Sequence, residues 1–270
     1  MTKSAGASPS PYEIRAVVRA LDVLLSVGDL ERADLSTISR RAGLHPTTTL
    51  RMLESLRTRD FIRQRNGRYE IGAGAFEVGC RFLAGMSFAI EAQALVQELA
   101  ERVDETASLG ILDGGEVLYL AIAHGQRELG IQSVPGRRHP AYCTALGKAM
   151  LSDLPWDEVG EILAAHPPVR LTPSTIVDPD EMRDELERIA HDRYAVDAEE
   201  RVPGVACLAA VIRDQSGRAI AALSVSGPAM RVTPERMPSL AKDVMAVADQ
   251  ASGIFGASLP DVSRPGIGVR

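Results

Sequence analysis

The chain has 270 residues, 45% hydrophobic and 4% aromatic, with a net charge of −6. Two domains with a sizeable core fit that length, no apolar run approaches the roughly 20 residues that cross a bilayer, and the acidity excludes a wholly basic nucleic-acid binder. Residues 1–71 hold 12 Lys and Arg against 8 Asp and Glu, the remainder 18 against 28, so only the positive front is suited to phosphate.

Residues 1–11 are polar and lack a signal-peptide core; they read as disordered, in a cytoplasmic protein. Ile14, Val17, Val18, Leu21, Leu24 and Leu25 recur at helical spacing, predicting a first helix that Gly28-Asp29 ends. Its stripe would cover the pair of helices that follows. Leu35–Ala42 reads as a short helix capped by Ser36 and closed by a left-handed Gly43. A second helix starts at Pro46, which tolerates the first turn. Thr49, Met52, Leu53 and Leu56 share its buried stripe, leaving Thr47, Thr48, Arg51 and Ser55 outside. That outer face is short and hydroxyl-rich, and it can donate to phosphates and send a guanidinium to a guanine edge. This is the docking surface of a helix-turn-helix.

Asn66-Gly67 is a hairpin signal between alternating residues 61–71, predicting a two-stranded wing with Arg63, Arg65 and Arg68 near its tip. Gly72, Gly74 and Gly79 are wrongly spaced for a dinucleotide loop; they lead into a connecting helix over about 75–85. A further helix, about 88–103, turns Ile90, Ala94, Leu95, Leu99 and Val103 to one side. Strands are predicted at 107–112, 117–123, 129–134, 194–197, 205–212 and 219–226, and helices at 142–151, 156–165, 179–191 and 234–255. The rear half is therefore a sheet of about six strands with helices on it, an α+β domain. The tail after Gly256 reads as loose. Cys80, Cys143 and Cys207 are odd in number and widely spaced, which argues against a disulfide framework or a zinc site; no metal or other cofactor is expected.

The order of these pieces resembles the IclR family of bacterial transcriptional regulators over roughly 14–256. The resemblance is carried by Arg19-Ala20-Leu21, Gly43-Leu44 with Thr47-Thr48 and Arg51-Met52-Leu53, and Tyr69-Glu70-Ile71-Gly72. In the rear half it is carried by Thr144-Ala145-Leu146-Gly147-Lys148, Asp197-Ala198-Glu199-Glu200 with Gly204, Cys207-Leu208-Ala209-Ala210 and Ser224-Val225-Ser226-Gly227-Pro228. It implies a winged helix-turn-helix over 12–72, a linker helix over 73–86 that pairs two chains, and a GAF-like effector-binding domain over 87–256 with an antiparallel sheet flanked by helices. It also implies a homodimer, or a dimer of dimers, on a palindromic double-stranded DNA operator. By position, Thr47, Thr48 and Arg51 would meet DNA beside Arg63, Arg65 and Arg68. Ala145, Leu146, Asp197, Cys207, Ser224 and Ser226 would line the effector pocket. Such a pocket, partly apolar with a few donors, suits a small carboxylic acid. The run 140–144 is similar to the subgroup that senses aromatic acids.

For single residues the plainer readings are a surface or capping charge for Lys148 and a small buried hydrophobe for Cys207. Two other functions can be drawn. One is a thiol-dependent hydrolase from His139, Cys143 and Glu200, although no nucleophile motif surrounds Cys143. The other is a protein-interaction module without DNA, which the basic front argues against.

Overall fold

A computed structural model describes residues 12–30, 32–85, 89–127 and 130–255. They divide into two compact units, residues 12–85 and 89–255. The readings of 1–11 as disordered and of 257–270 as loose lie outside the described residues.

The first unit runs α1 (Arg15–Leu30), α2 (Leu35–Ala42), α3 (Pro46–Arg57), β1 (Ile62–Arg65), β2 (Arg68–Ile71) and α4 (Ala73–Gly85). Asp34, not Ser36, caps α2: its carboxylate accepts from the Thr37 N–H at 2.8 Å. Ser36 lies one residue inside the helix, so its own backbone is already helical. Gly43 closes α2 at φ +65°, as expected. His45 caps α3, its Nδ1 accepting from the Thr47 N–H at 3.4 Å. Thr49 and Leu53 are buried, and Met52 and Leu56 pack on a core of Val23, Val27, Ile38, Leu53, Ile62 and Tyr69.

The stripe assigned to α1 is wrong. Val23, Ser26 and Val27 face inward with Leu24 beside them, while Ile14, Val17, Val18, Leu21 and Leu25 are exposed, Leu21 at 51%. Apolar residues occupy more than one side of this helix, so periodicity could not choose between them. The helix also continues through Gly28-Asp29 to Leu30, because a glycine near a helix end is tolerated where packing holds the turn. Asn66 and Gly67, at φ +50° and +74°, turn β1 into β2. Gly72 and Gly74 donate their N–H groups to the carbonyls of Phe61 at 2.9 Å and Asp60 at 2.8 Å. A Cβ on Gly72 would stand 2.2 Å from the Asp60 oxygen; these glycines serve a close backbone approach.

The second unit runs α5 (Ala89–Val103), β3 (Thr106–Asp113), β4 (Glu116–Ala123), β5 (Arg138–Pro140), a 3-10 turn (Ala141–Cys143), α6 (Ala145–Leu151), α7 (Trp156–Ala165), α8 (Pro179–Asp192), β6 (Ala195–Ala198), β7 (Val205–Arg213), β8 (Ala219–Pro228) and α9 (Met237–Phe255). The sheet has the order β5-β4-β3-β8-β7-β6, every neighbouring pair antiparallel. The strand expected at 129–134 is absent: residues 130–134 are irregular, and Leu129 lies outside the described residues. The free edge of β4 is instead taken by residues 136–140, where Gly136 N–H donates to Tyr119 and β5 pairs with residues 116–118. On α5 the inward side is Leu95, Val96, Leu99, Ala100 and Val103; Ala94 is exposed, contrary to expectation, and the side chain of Ile90 lies outside the described residues.

Strand alternation splits this unit into two layers. Leu109, Leu208, Ile212, Leu223 and Val225 point to α5 and α9. Ala209 and Ala222 point the other way, to α6 and α8. Toward one end, that second face becomes polar.

Candidate functional sites

On α3, Thr47, Arg51 and Ser55 are exposed and Thr48 half-buried, with Leu50 exposed beside Arg51. The buried Thr49–Leu53 side fixes which way this face looks. Ser55 donates its hydroxyl to the Arg51 carbonyl at 2.9 Å, so its proton is spent within the helix. Among the described residues the hydroxyls of Thr47 and Thr48 make no such bond and remain donors.

The wing arginines share one face of the hairpin, because Arg63 pairs with Glu70 and Arg65 with Arg68. They are not all independent cations. Glu70 accepts from Arg32 Nε at 3.0 Å and lies 2.8 Å from Arg63 Nε and 3.7 Å from Arg65 Nε. The Arg32 hydrogen bond, with the Arg63 charge, holds the Glu70 carboxyl below its usual range. One carboxylate thus gathers two of the three predicted phosphate contacts, and Arg68 stands apart.

The polar end of the second sheet face forms a cavity of about 330 Å³. Its floor is a transverse row: Asp197 pairs with Cys207, Cys207 with Ser226, and Ser226 with Thr106, across β6, β7, β8 and β3. Ser224 and Ser108 pair in a parallel row. Ala145 and Leu146, at the start of α6, form a wall. All six residues expected to line a pocket therefore meet at this one cavity. Gly147 allows the wall: a Cβ there would stand 2.2 Å from the Ala141 carbonyl, so only glycine lets α6 come so close to the 3-10 turn.

The cavity is also lined by Tyr119, Arg137 and Arg201, which carried no signal in the sequence, and by His139, which the sequence offered only for the hydrolase set. A bulge between Leu109 and Gly110 sets Gly110 opposite Tyr119 and changes the phase of β4. The Tyr119 and His139 rings meet edge to face, centroids 5.2 Å apart. Burial, reinforced by Arg201 and Arg137, pushes His139 down to about 4, so its ring is neutral at pH 7. Burial raises the Tyr119 hydroxyl and pushes the Cys207 thiol up to about 12; both stay protonated. Asp197 is raised by burial, and its Oδ1 accepts from the Glu200 N–H at 2.7 Å. It closes the turn that delivers Arg201 to the cavity.

Lys148 is not a surface charge. It is 1% exposed, with its Nζ between Glu185 at 3.0 Å and Glu200. The hydrolase set is not assembled. Glu200 belongs to Lys148, the Cys143 thiol points to the Pro140 carbonyl at 3.8 Å and is pushed up to about 12 by burial, and His139 faces Tyr119. Among the described residues no cluster of three potential metal ligands occurs, and no helix is long and apolar enough to cross a membrane.

A family model described as the IclR helix-turn-helix domain matches residues 16–66, and one described as the bacterial transcriptional regulator IclR C-terminal matches residues 80–253. The chain is 33% identical over 241 residues to the HTH-type transcriptional regulator BhcR of Paracoccus denitrificans, covering 88% of this chain and 86% of that one. It is 29% identical over 254 residues to the transcriptional repressor IclR of Escherichia coli, covering 92% and 93%. The crystal structure of Thermotoga maritima IclR superposes with a TM-score of 0.72 at 27% identity, covering 90% and 100%. An IclR homologue from Microbacterium hydrocarbonoxydans, crystallised with 4-hydroxybenzoate, shares the fold at a TM-score of 0.78 and 22% identity, covering 90% and 100%.

Proposed function

The chain belongs to the IclR family of bacterial transcriptional regulators and is a DNA-binding regulator, and from that premise we propose which of its residues read the operator and what its rear unit senses. Thr47, Thr48 and Arg51 enter the major groove, the hydroxyls on phosphate oxygens and the guanidinium on a guanine edge. Arg68, with Arg63 and Arg65 released from Glu70, holds the flanking backbone. The cavity between the sheet and α6 takes a small organic acid as effector, an aromatic acid being the narrower form of this reading. The observation that supports the DNA face is the exposure of Thr47 and Arg51 on the helix whose Thr49 and Leu53 are fully buried.

The functional protein is a homodimer, or a dimer of dimers, working in the cytoplasm. Its pairing surfaces are the exposed apolar side of α1 and the exposed Phe76, Val78 and Phe82 of α4; exposed apolar patches of this kind mark interaction sites. Two recognition helices then address half-sites of a palindrome about one helical turn, or a multiple of it, apart. Effector and operator affinities are coupled reciprocally, so an effector that leaves operator affinity unchanged overturns this account.

Operator binding measured by fluorescence anisotropy tests the reading. Affinity is expected to fall steeply with salt, and Arg51→Ala to weaken specific binding by about 1–3 kcal/mol while changing binding to an unrelated duplex far less. Equal affinities for wild type and variant remove Arg51 from the reading face.

A further inference from the structure

We propose that the cavity takes an acid with two anionic groups, a small dicarboxylate, one carboxylate held by Arg137 and the other by Arg201; this rests on the cavity being the effector site.

The two arginines come from segments far apart in the sheet, and both of their charges act on His139. Arg137 immediately precedes β5 and Arg201 follows β6, and these strands are the two opposite edges of the sheet. Both side chains line the same space. Neither is in an ion pair among the described residues. Elsewhere in the unit, Arg188, Arg193 and Arg213 are each matched to a carboxylate within 3 Å. Arg170 and Arg183 are also without a carboxylate partner among the described residues, Arg170 donating to the Pro173 carbonyl and Arg183 lying over the Trp156 ring; Arg137 and Arg201 are the two unpaired arginines that line the cavity.

The chemistry of the walls limits what can neutralise them. Asp197 is the one carboxylate among the described liners, and it is engaged by the Glu200 N–H. His139 is neutral and adds no further charge. A guanidinium fork matches one carboxylate bidentately. A monoacid therefore gives one fork a carboxylate and leaves the other without one of its own; a diacid satisfies both. The same lining includes Tyr119, Leu146 and Val202, which suit a carbon skeleton, and the serine hydroxyls of the floor. A volume of about 330 Å³ lies at the small end of ligand sites, which favours a short chain or a single ring as that skeleton. The backbone at Arg201 is held in place before any ligand arrives. The turn carrying it is tied by Asp197 to the Glu200 N–H, by the Glu199 carboxylate to the Gly204 N–H at 2.6 Å, and by the Thr175 hydroxyl to the Glu200 carbonyl at 2.6 Å. Preorganisation of this kind lowers the cost of binding.

The test is calorimetric titration of the full chain with matched acids: butyrate against succinate, hexanoate against adipate, and benzoate against the three benzene dicarboxylates. At least one diacid is expected to bind about tenfold or more tightly than its monoacid partner. Arg137→Gln and Arg201→Gln are each expected to erase that advantage, and the corresponding Lys variants to restore part of it, with thermal melts showing that all four variants fold. A monoacid that binds as tightly as every diacid, or variants that leave the ratio untouched, overturns the dianion assignment. Binding of monoacids alone, abolished by Ser224→Trp, leaves the effector site standing and removes only this inference. No heat and no thermal shift with any acid removes both.

Discussion

If the wing arginines meet DNA as proposed, Glu70 sets how much of their charge is free for it. Its partners Arg32, Arg63 and Arg65 are each more than half exposed, so these pairs add little to stability; what they set is the number of free cations. Glu70→Gln is expected to strengthen binding to an unrelated duplex several-fold at low salt, to steepen the salt slope by about 1, and to lower the ratio of specific to non-specific affinity. Anisotropy titrations at several salt concentrations measure all three, and an unchanged slope shows that the arginines leave Glu70 at no cost. His139 gives a pH-dependence of definite sign. Folding lowers it from 6.5 to about 4, so between those values the unfolded chain holds more protons. Its contribution to stability is complete above about pH 6.5 and is lost as pH falls toward 4. The loss is about 2 kcal/mol after discounting for its contact with solvent. Thermal melts from pH 7.5 to 4 should show this decline, and His139→Gln should flatten that part of it. Neither effect could be read from the sequence. Glu70 looked like one charge in an alternating strand, and nothing near His139 announced Tyr119 or Arg201, which are brought to it by a bulge and by the far edge of the sheet.

At the level of elements, the sequence was legible where one local rule dominated. Gly43, Pro46 and Asn66-Gly67 demand particular backbone angles, and the helix ends and hairpin fall where they place them. It was ambiguous where two local candidates competed. Asp34 and Ser36 can both cap a helix, and the carboxylate wins because the helix begins at Leu35. Asp34→Ala is therefore expected to destabilise the first unit by about 1 kcal/mol and Ser36→Ala by only a few tenths; urea titrations of the two variants compare them, and the reverse order moves the cap. The side of α1 was illegible for a related reason, since its apolar residues fit either a core or a partner. The strand expected at 129–134 failed because pairing depends on which segment reaches the edge of β4 first, and residues 136–140 hold it. The six cavity residues came from family resemblance, and the alternation of β7 and β8 explains why Cys207, Ser224 and Ser226 share a face.

Taken whole, the molecule has a basic front unit and an acidic rear unit, and the composition of the two halves already separated a phosphate-facing part from one that is not. What lay beyond the sequence was the exposed apolar side of α1. If that side pairs two chains, Leu21→Glu with Val17→Glu should lower the molecular mass measured by light scattering. It should also weaken binding to a full palindrome far more than to a single half-site, while leaving the monomer folded. An unchanged mass places the pairing elsewhere. The contact of Gly72 and Gly74 with the backbone just after α3 has a mechanical result. The root of α4 is tied by two backbone hydrogen bonds to residues 60 and 61, just beyond the end of α3. A twist of α4 is therefore expected to pass to α3 as a crank turns its shaft, and a bulkier residue at either glycine to strip that gear.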